Sequence, residues 1–439
     1  MQRRIIQVEE KVPLLQGLPL SFQHLFAMFG ASVLVPYLFN QTASQTAGHQ
    51  VQVIDPALVL LLNGIGTLIY LFLCKGKAPA FLGSSFAFLS PTYSVIMSST
   101  DVHANFQKAL GGFILCGLVF AVTALIIGAV GTKWIDIVLP PAAMGPIVAL
   151  IGLELTGSAA KMAGLLPNDK GLFDTKAIIV SMFTLAVVVL GSLMFRKFFA
   201  VIPVLVAVLV GYGLSAILKV VDYSTVTHAN LIAAPHFVTP KFEFNAMIVI
   251  LPAALVVISE HIGHLFVTGK IVGRDLIKVP GLHRSLLGDG LSTMISGFTG
   301  SNPTTTYGEN MGVMAITRVY SVWVIGGAAV ISIIISFIGV VSGAISSIPQ
   351  PVMGGITLLL YGTIAASGIR VIVEAKVDYS RAKNLILTSL VFVTGLCGVS
   401  INIGKIKFTG MVLATVVGMA LSLIFYILEK FKLTNDIEE

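Results

Sequence analysis

The chain has 439 residues, of which 56% are hydrophobic and only 11% charged, and its mean hydropathy is +0.95. A soluble domain carries about 25% charged residues, so a water-soluble enzyme of this size is excluded: no fold buries so much apolar surface without lipid as a partner solvent. Disorder fails on the same numbers, and the 43 glycines show no period of three that would make a collagen-like chain. The class that remains is a polytopic α-helical membrane protein.

The net charge of +7 comes from 27 Lys and Arg against 20 Asp and Glu. Nucleic-acid binding needs a basic stripe on a soluble face. Here the cations sit in short clusters between apolar runs, which is the pattern of membrane topology. Cys74, Cys116 and Cys397 lie in or beside apolar segments without metal-ligand spacing, and no disulfide framework is expected. The opening MQRRIIQVEEKVP has no apolar run of its own and reads as a charged tail, not a cleavable signal.

Spanning helices need roughly 17–25 apolar residues. Along the chain such segments fall near 18–38, 56–74, 78–98, 107–129, 135–155, 175–195, 199–219, 245–267, 284–299, 300–317, 319–342, 349–368, 384–401 and 409–429, which makes fourteen. The third contains Gly83-Ser84-Ser85 and Ser90-Pro91, and the tenth reads GSNPTTTYGEN. Both are too polar and too interrupted for plain spanning helices. In a membrane such elements are tolerated where they face a cavity. With the N-terminus inside, 19 of the 27 Lys and Arg fall on the inner side and 8 on the outer, which predicts both termini cytoplasmic. The polar stretch Asn40–Asp55 then becomes an outer loop.

The two halves echo each other. Leu18-Pro19 matches Leu251-Pro252 at an offset of 233, and Asn63-Gly64 with Thr67 matches Asp289-Gly290 with Thr293 at 226. Gly83-Ser84 matches Gly300-Ser301 at 217, and Pro140 with Met144-Gly145 matches Pro349 with Met353-Gly354 at 209. The common order and the smoothly shrinking offset predict a repeat of seven spans, over 14–221 and 241–432 after a tail of residues 1–13. Seven is odd, so the second copy is inverted, a transporter architecture. The paired broken segments, GSSFAFLSP and GSNPTTTYGEN, point to the binding site, because a half-helix start leaves free N–H groups near the midplane.

Ionisable groups inside spans are costly and mark function. Glu260 and His264 stand four apart in the eighth span and share a helix face; Glu309 lies in the tenth. His261 falls on a different face. The run EHIGH lacks the H-E-x-x-H order of zinc hydrolases, and no metal is expected. Asp289 is a weaker candidate, read as tying broken helices together. Glu154 and Glu374 sit at span ends and read as interfacial, and His24 reads as structural. Two carboxylates with little compensating cation suit a neutral solute rich in N–H donors, with half-helix amides meeting its carbonyls and Phe86 and Tyr307 supplying flat surfaces. A pyrimidine or purine base carries that pattern. No nucleophile–base pair or metal triad lies in the spans, so no enzyme is expected.

The run from Glu309 to Arg318, ENMGVMAITR, fits the signature Gln/Glu/Pro-Asn-x-Gly-x4-Thr-Arg/Lys/Gly of the nucleobase–ascorbate transporter family, also called nucleobase:cation symporter family 2. PLSFQHLFAMFGASVLVP, FLGSSFAFLSP, PPAAMGPIVALIGLEL, LPAALVVISEHIGHL and TTTYGENMGVMAITRVYS resemble the bacterial uracil permeases of that family, and the resemblance runs from about Pro13 to Leu428. It implies fourteen spans in two inverted repeats. It implies a core of spans 1–4 and 8–11 (about 18–129 and 245–342) and a gate of spans 5–7 and 12–14 (about 135–219 and 349–429). Spans 3 and 10 would each hold a short strand, the two pairing antiparallel. Residue by residue, the resemblance implies that Glu260 accepts from the base's ring N–H and Glu309 meets the other edge. Amides of Phe86 and Gly308 would donate to its carbonyls, and Tyr307 would line the pocket. His264 would bond to Glu260 and share in proton coupling, while Ser85 and Asn310 stand by as weaker candidates. Glu at position 309 favours uracil over xanthine or urate. The resemblance thus implies a proton-driven uracil importer, a homodimer in the bacterial inner membrane, with no cofactor beyond the coupling proton. Xanthine or urate symport, Na⁺ coupling and anion transport remain the rival readings.

Overall fold

A computed structural model describes residues 5–167, 171–196, 199–227, 230–403 and 406–434. Arg3, Arg4, Lys170, Lys197 and Lys405, which entered the charge asymmetry above, lie outside the described residues. The principal helices are α1 (Leu14–Ala47), α2 (Pro56–Leu73), α3 (Leu89–Ile96), α4 (Val102–Val130), α5 (Pro141–Leu153), α6 (Thr175–Met194), α7 (Pro203–Ile217), α8 (Ala253–Val272), α9 (Leu282–Thr299), α10 (Gly308–Thr317), α11 (Val322–Ser336), α12 (Gln350–Glu374), α13 (Ala382–Leu396) and α14 (Gly410–Lys430). Among the described residues, eight helices or helix pairs are long and apolar enough to cross a membrane, nine if the bent pair at α11 is one span. The chain is a mainly helical multi-pass membrane protein.

Local sequence explains the breaks. Strand β1 (Leu82–Ser84) and strand β2 (Thr304–Thr306) interrupt the third and tenth apolar segments and pair antiparallel, Leu82 with Thr306, Gly83 with Thr305 and Ser84 with Thr304. Two flanking bonds extend the pair, Ser85 N–H to the Pro303 carbonyl (2.9 Å) and Tyr307 N–H to that of Phe81 (3.0 Å). Their backbone polarity is thereby satisfied inside protein, the condition for non-helical chain at membrane depth. Gly83 is required here, since a Cβ on it would lie 2.4 Å from the Tyr307 ring.

Three elements depart from expectation. Helix α1 does not stop before Asn40 but runs to Ala47, with Gly48 closing it at φ 75°. The Asn40 side chain explains this: it accepts from the amides of Val53 (2.8 Å) and Ile54 (3.0 Å) and donates to the Ile54 carbonyl (2.9 Å), pinning the returning chain onto the extended helix. The eleventh segment is bent by 87° between α11 and the short helix Gly339–Ser346. The thirteenth segment, expected to reach 401, is helical only to Leu396, and a second antiparallel pair, β3 (Ser400–Ile403) with β4 (Ile406–Thr409), joins α13 to α14.

Helix packing falls into two groups. In one, α9 lies along α4 and α2, and α11 along α2 and α1; in the other, α12 lies along α5 and α6, and α13 against α14 and α5. Helix α8 meets both, touching α4 on one side and α5, α12 and α14 on the other.

The N-terminal segment is not a free tail. Ile6 pairs in parallel with Val319, and Val8, fully buried, accepts from Val322 N–H (2.9 Å). Ser321 donates to the Glu10 carbonyl (2.6 Å), and Arg274 beyond the end of α8 donates to Glu9 (2.5 Å). Residues 5–10 thus strap the ends of α8 and α10 together. We call this the near end of the molecule and the opposite one the far end.

Candidate functional site

Helix α8 carries Glu260 and His264 on one face, as the four-residue spacing requires, and both look onto the β1–β2 pair. A cavity of about 360 Å³ lies there, lined by Phe86, Glu260, His264, Thr305, Tyr307, Gly308 and Glu309, with apolar walls from Ile356 and Leu360 of α12. From the strands it extends along α10 to Ile316 and along α12 to Ser367, toward the near end. No Lys or Arg lines it among the described residues. Two carboxylates therefore face it with no cation beside them.

The site is held from behind by hydrogen bonds. Thr305, at the centre of β2, donates to Glu260 Oε2 at 3.3 Å. His264 places Nδ1 2.7 Å from the Thr306 carbonyl and 3.1 Å from its hydroxyl. The expected bond between His264 and Glu260 is not formed among the described residues: β2 passes beside α8, where Thr305 donates to Glu260 and Thr306 engages His264 Nδ1. Tyr307 donates from its hydroxyl to the Ser84 carbonyl (3.1 Å) and accepts from Ser32 (3.2 Å), which fixes its ring across Gly83. Gly308 and Glu309 open α10, so their amides have no intrahelical acceptor. Phe86 opens a single 3₁₀ turn, Phe86–Phe88, on the opposite strand. Two chain starts thus converge on one cavity, a ready acceptor-binding arrangement.

The weaker candidates separate from the cavity. Asp289 accepts from Thr304 (3.2 Å) and lies 3.0 Å from His261 Nδ1, both fully buried, and His261 Nε2 meets Ser285 (2.6 Å). It ties α8, α9 and β2 together behind the strands. Asn310 donates to the His24 carbonyl (3.1 Å) and faces its ring nitrogen, bracing α10 on α1. Ser85 is buried with no hydrogen-bond partner for its hydroxyl among the described residues. None of the three lines the cavity. Thr305 and Thr306 were not singled out by sequence, although the TTT run is the polar core of the broken tenth segment. Single threonines in a strand carry no spacing signal until the partner helix is in place.

Comparison with known proteins places these features in a family. The model described as Permease family matches residues 15–404. The chain is 58% identical over 425 residues to the uracil permease of Escherichia coli strain K12, covering 97% of this chain and 95% of that one. It is 53% identical over 439 residues to the uracil permease of Paenibacillus larvae (99% and 100% covered) and 42% identical over 431 residues to that of Bacillus caldolyticus (97% and 95%). Solved structures of like fold include murine Slc26a9, an anion transporter in the inward-facing state (TM-score 0.69, 12% identity, 96% of this chain and 69% of that one). Another is the transmembrane domain of the cyanobacterial bicarbonate transporter BicA (TM-score 0.57, 13% identity, 95% and 100%). A further SLC26A9 structure matches with a TM-score of 0.63 at 12% identity, covering 93% of this chain, which spans 65% of its length. At such identities the likeness is one of fold.

Proposed function

The chain belongs to this permease family, and from that premise we propose that it imports uracil by proton-coupled symport. It is a permease and not an enzyme. The observation that carries the reading is the cavity itself: two carboxylates, two helix starts and, among the described residues, no cation in its lining. Uracil offers ring N–H donors and carbonyl acceptors in alternation. Glu260 accepts from a ring N–H, Glu309 meets the opposite edge, the amides of Phe86 and Gly308 donate to the carbonyls, and Tyr307 closes the floor. The uracil permeases among the relatives support the substrate. The solved structures of like fold include anion transporters, but an anion would meet Glu260 and Glu309 without a countercharge, so the anion reading is disfavoured.

Proton coupling follows from the cost of a buried charge. A carboxylate moved through low dielectric costs several kcal/mol unless neutralised, so protonation of Glu260, assisted by His264, lets the loaded carrier reorient. In this reading the moving parts are a core of α1–α4 and α8–α11 and a gate of α5–α7 and α12–α14, two inverted seven-span repeats that make fourteen passes, a division that the two packing groups support. Alternating access is movement of one against the other. In this reading the near end is cytoplasmic, both termini lie inside, and the protein works in the bacterial inner membrane as a homodimer. No cofactor is needed beyond the proton.

Glu260→Gln tests the coupling role. We expect proton-driven accumulation of labelled uracil in proteoliposomes to be lost while uracil–uracil exchange persists. Undiminished accumulation would remove Glu260 from the coupling step.

A further inference from the structure

Tyr307 lines the cavity and is the last residue before α10, so its placement sets where the Gly308 amide and Glu309 begin. Its hydroxyl meets two groups, the Ser84 carbonyl of β1 (3.1 Å) and Ser32 Oγ of α1 (3.2 Å). Ser32 Oγ lies in turn 3.1 Å from Asn63 Nδ2 of α2. All four residues are buried. Counting protons gives this chain one direction. The Ser84 carbonyl can only accept, so the single proton of the Tyr307 hydroxyl goes there. The contact with Ser32 then requires Ser32 to donate to the Tyr307 oxygen. Ser32 also has one proton, so its own oxygen accepts from the Asn63 amide. Met28 Sδ, 3.0 Å from Ser32 Oγ, is a weak acceptor and the lesser competitor for that proton. The order is Asn63 N–H, Ser32 O–H, Tyr307 O–H, Ser84 C=O, and bonds in such a chain strengthen one another.

Two observations set Asn63 apart from a packing residue. Its side-chain oxygen is buried with no partner among the described residues. An unpaired buried acceptor costs stability, and an apolar residue of like shape would avoid that cost. The second observation comes from the sequence repeat, which aligns Asn63 with Asp289 and Thr67 with Thr293. The two threonines hold their strands in the same way. Thr67 Oγ1 accepts from the Leu82 N–H (2.9 Å) and donates to its carbonyl (3.4 Å); Thr293 Oγ1 accepts from the Thr304 N–H (3.2 Å) and donates to its carbonyl (3.4 Å). The residues four positions earlier differ. Asp289 engages His261 and accepts from Thr304, behind the strands. Asn63 instead supplies a donor that reaches the cavity wall through Ser32.

We propose that Asn63 and Ser32 are positioning residues for the substrate: their donor chain fixes the Tyr307 side chain, and with it the first amide of α10 and Glu309. Neither residue lines the cavity, so both act through Tyr307. The inference rests on the uracil reading above for what the site holds, while the chain of hydrogen bonds does not depend on it.

The test is a double-mutant cycle on the full-length protein, with Ser32→Ala, Tyr307→Phe and the two combined, and with Asn63→Leu as a second way to break the chain. Calorimetric titration with uracil is read beside Tm. Ser32→Ala and Tyr307→Phe are each expected to weaken uracil binding by about two- to tenfold, and the combined variant by no more than Tyr307→Phe alone. Asn63→Leu is expected to weaken binding to a like extent without lowering Tm, because it also removes the unpaired oxygen. A joint fall of Tm and binding would make Asn63 merely structural and overturn its part. An unchanged Kd in Ser32→Ala, or an effect that adds in full to that of Tyr307→Phe, would overturn the chain. Hydrogen exchange of the ligand-free protein supplies a readout without uracil. The Ser85 and Tyr307 amides, which extend the strand pair, are expected to exchange faster in Ser32→Ala and in Asn63→Leu. A parent that binds no uracil would contradict the substrate reading alone, and unchanged exchange in both variants would then overturn the positioning role.

Discussion

At the residue scale the site rests on chemistry that the sequence carried in plain form. Glu260 and Glu309 stand out because ionisable groups in apolar segments are rare and costly, and both line one cavity. Their partners were hidden. Thr305 donates to Glu260 and Thr306 engages His264 only because β2 runs beside α8, a tertiary placement that no spacing rule encodes. The consequence for His264 is specific: its Nδ1 is committed to β2, and Nε2 is left to face the cavity. Thr305→Val removes the hydroxyl that orients Glu260 and keeps the side chain's shape. A hydrogen bond to a charged acceptor is worth about 1.5–3 kcal/mol, lowered here by its length, so we expect uracil binding to weaken by roughly three- to tenfold. Calorimetric titration of the purified variant checks this, and an unchanged Kd would show that Glu260 is held by other contacts.

At the element scale, the breaks in the third and tenth segments were legible from their Gly, Ser, Pro and Thr content, and the strand pair occupies them. Extension of α1 through Ala47 was not legible, because it depends on Asn40 gripping Val53 and Ile54 from thirteen and fourteen residues away. The N-terminal strap was missed for a related reason: MQRRIIQVEEKVP is charged and short, and only its register against Arg318–Val322 gives Ile6 and Val8 a place to be buried. The strap ties the helix of Glu260 to the helix of Glu309. Its ion pair should show in pH dependence. Arg274, hydrogen-bonded to Glu9, holds that carboxyl below its ordinary value of 4.5. A lowered carboxylate contributes stability that is present above the ordinary value and lost as pH falls through the lowered one. Glu9→Gln is therefore expected to lower thermal stability slightly at neutral pH, in line with the roughly 0.2–1 kcal/mol of an exposed pair, and to match the parent in strong acid. Val8→Asp, which buries an unpaired charge, should cost clearly more at neutral pH. Melting curves of the variants across pH measure both effects, and equal curves at every pH would show that the strap contributes no stability.

At the scale of the whole molecule, composition fixed the solvent and motif content pointed to the family. The arrangement of α4 with α9 and of α5 with α12 fits two bodies that move against each other with the cavity between them. The cavity extends from the strand pair toward the near end. Uracil uptake driven by protons is the central claim. The measurement that tests it most directly is labelled-uracil uptake into proteoliposomes under an imposed inward-directed proton gradient, repeated with a protonophore and with excess unlabelled xanthine. The account predicts accumulation that collapses with the protonophore and is not competed by xanthine. Uptake indifferent to the gradient, or no uracil uptake at all, would contradict it.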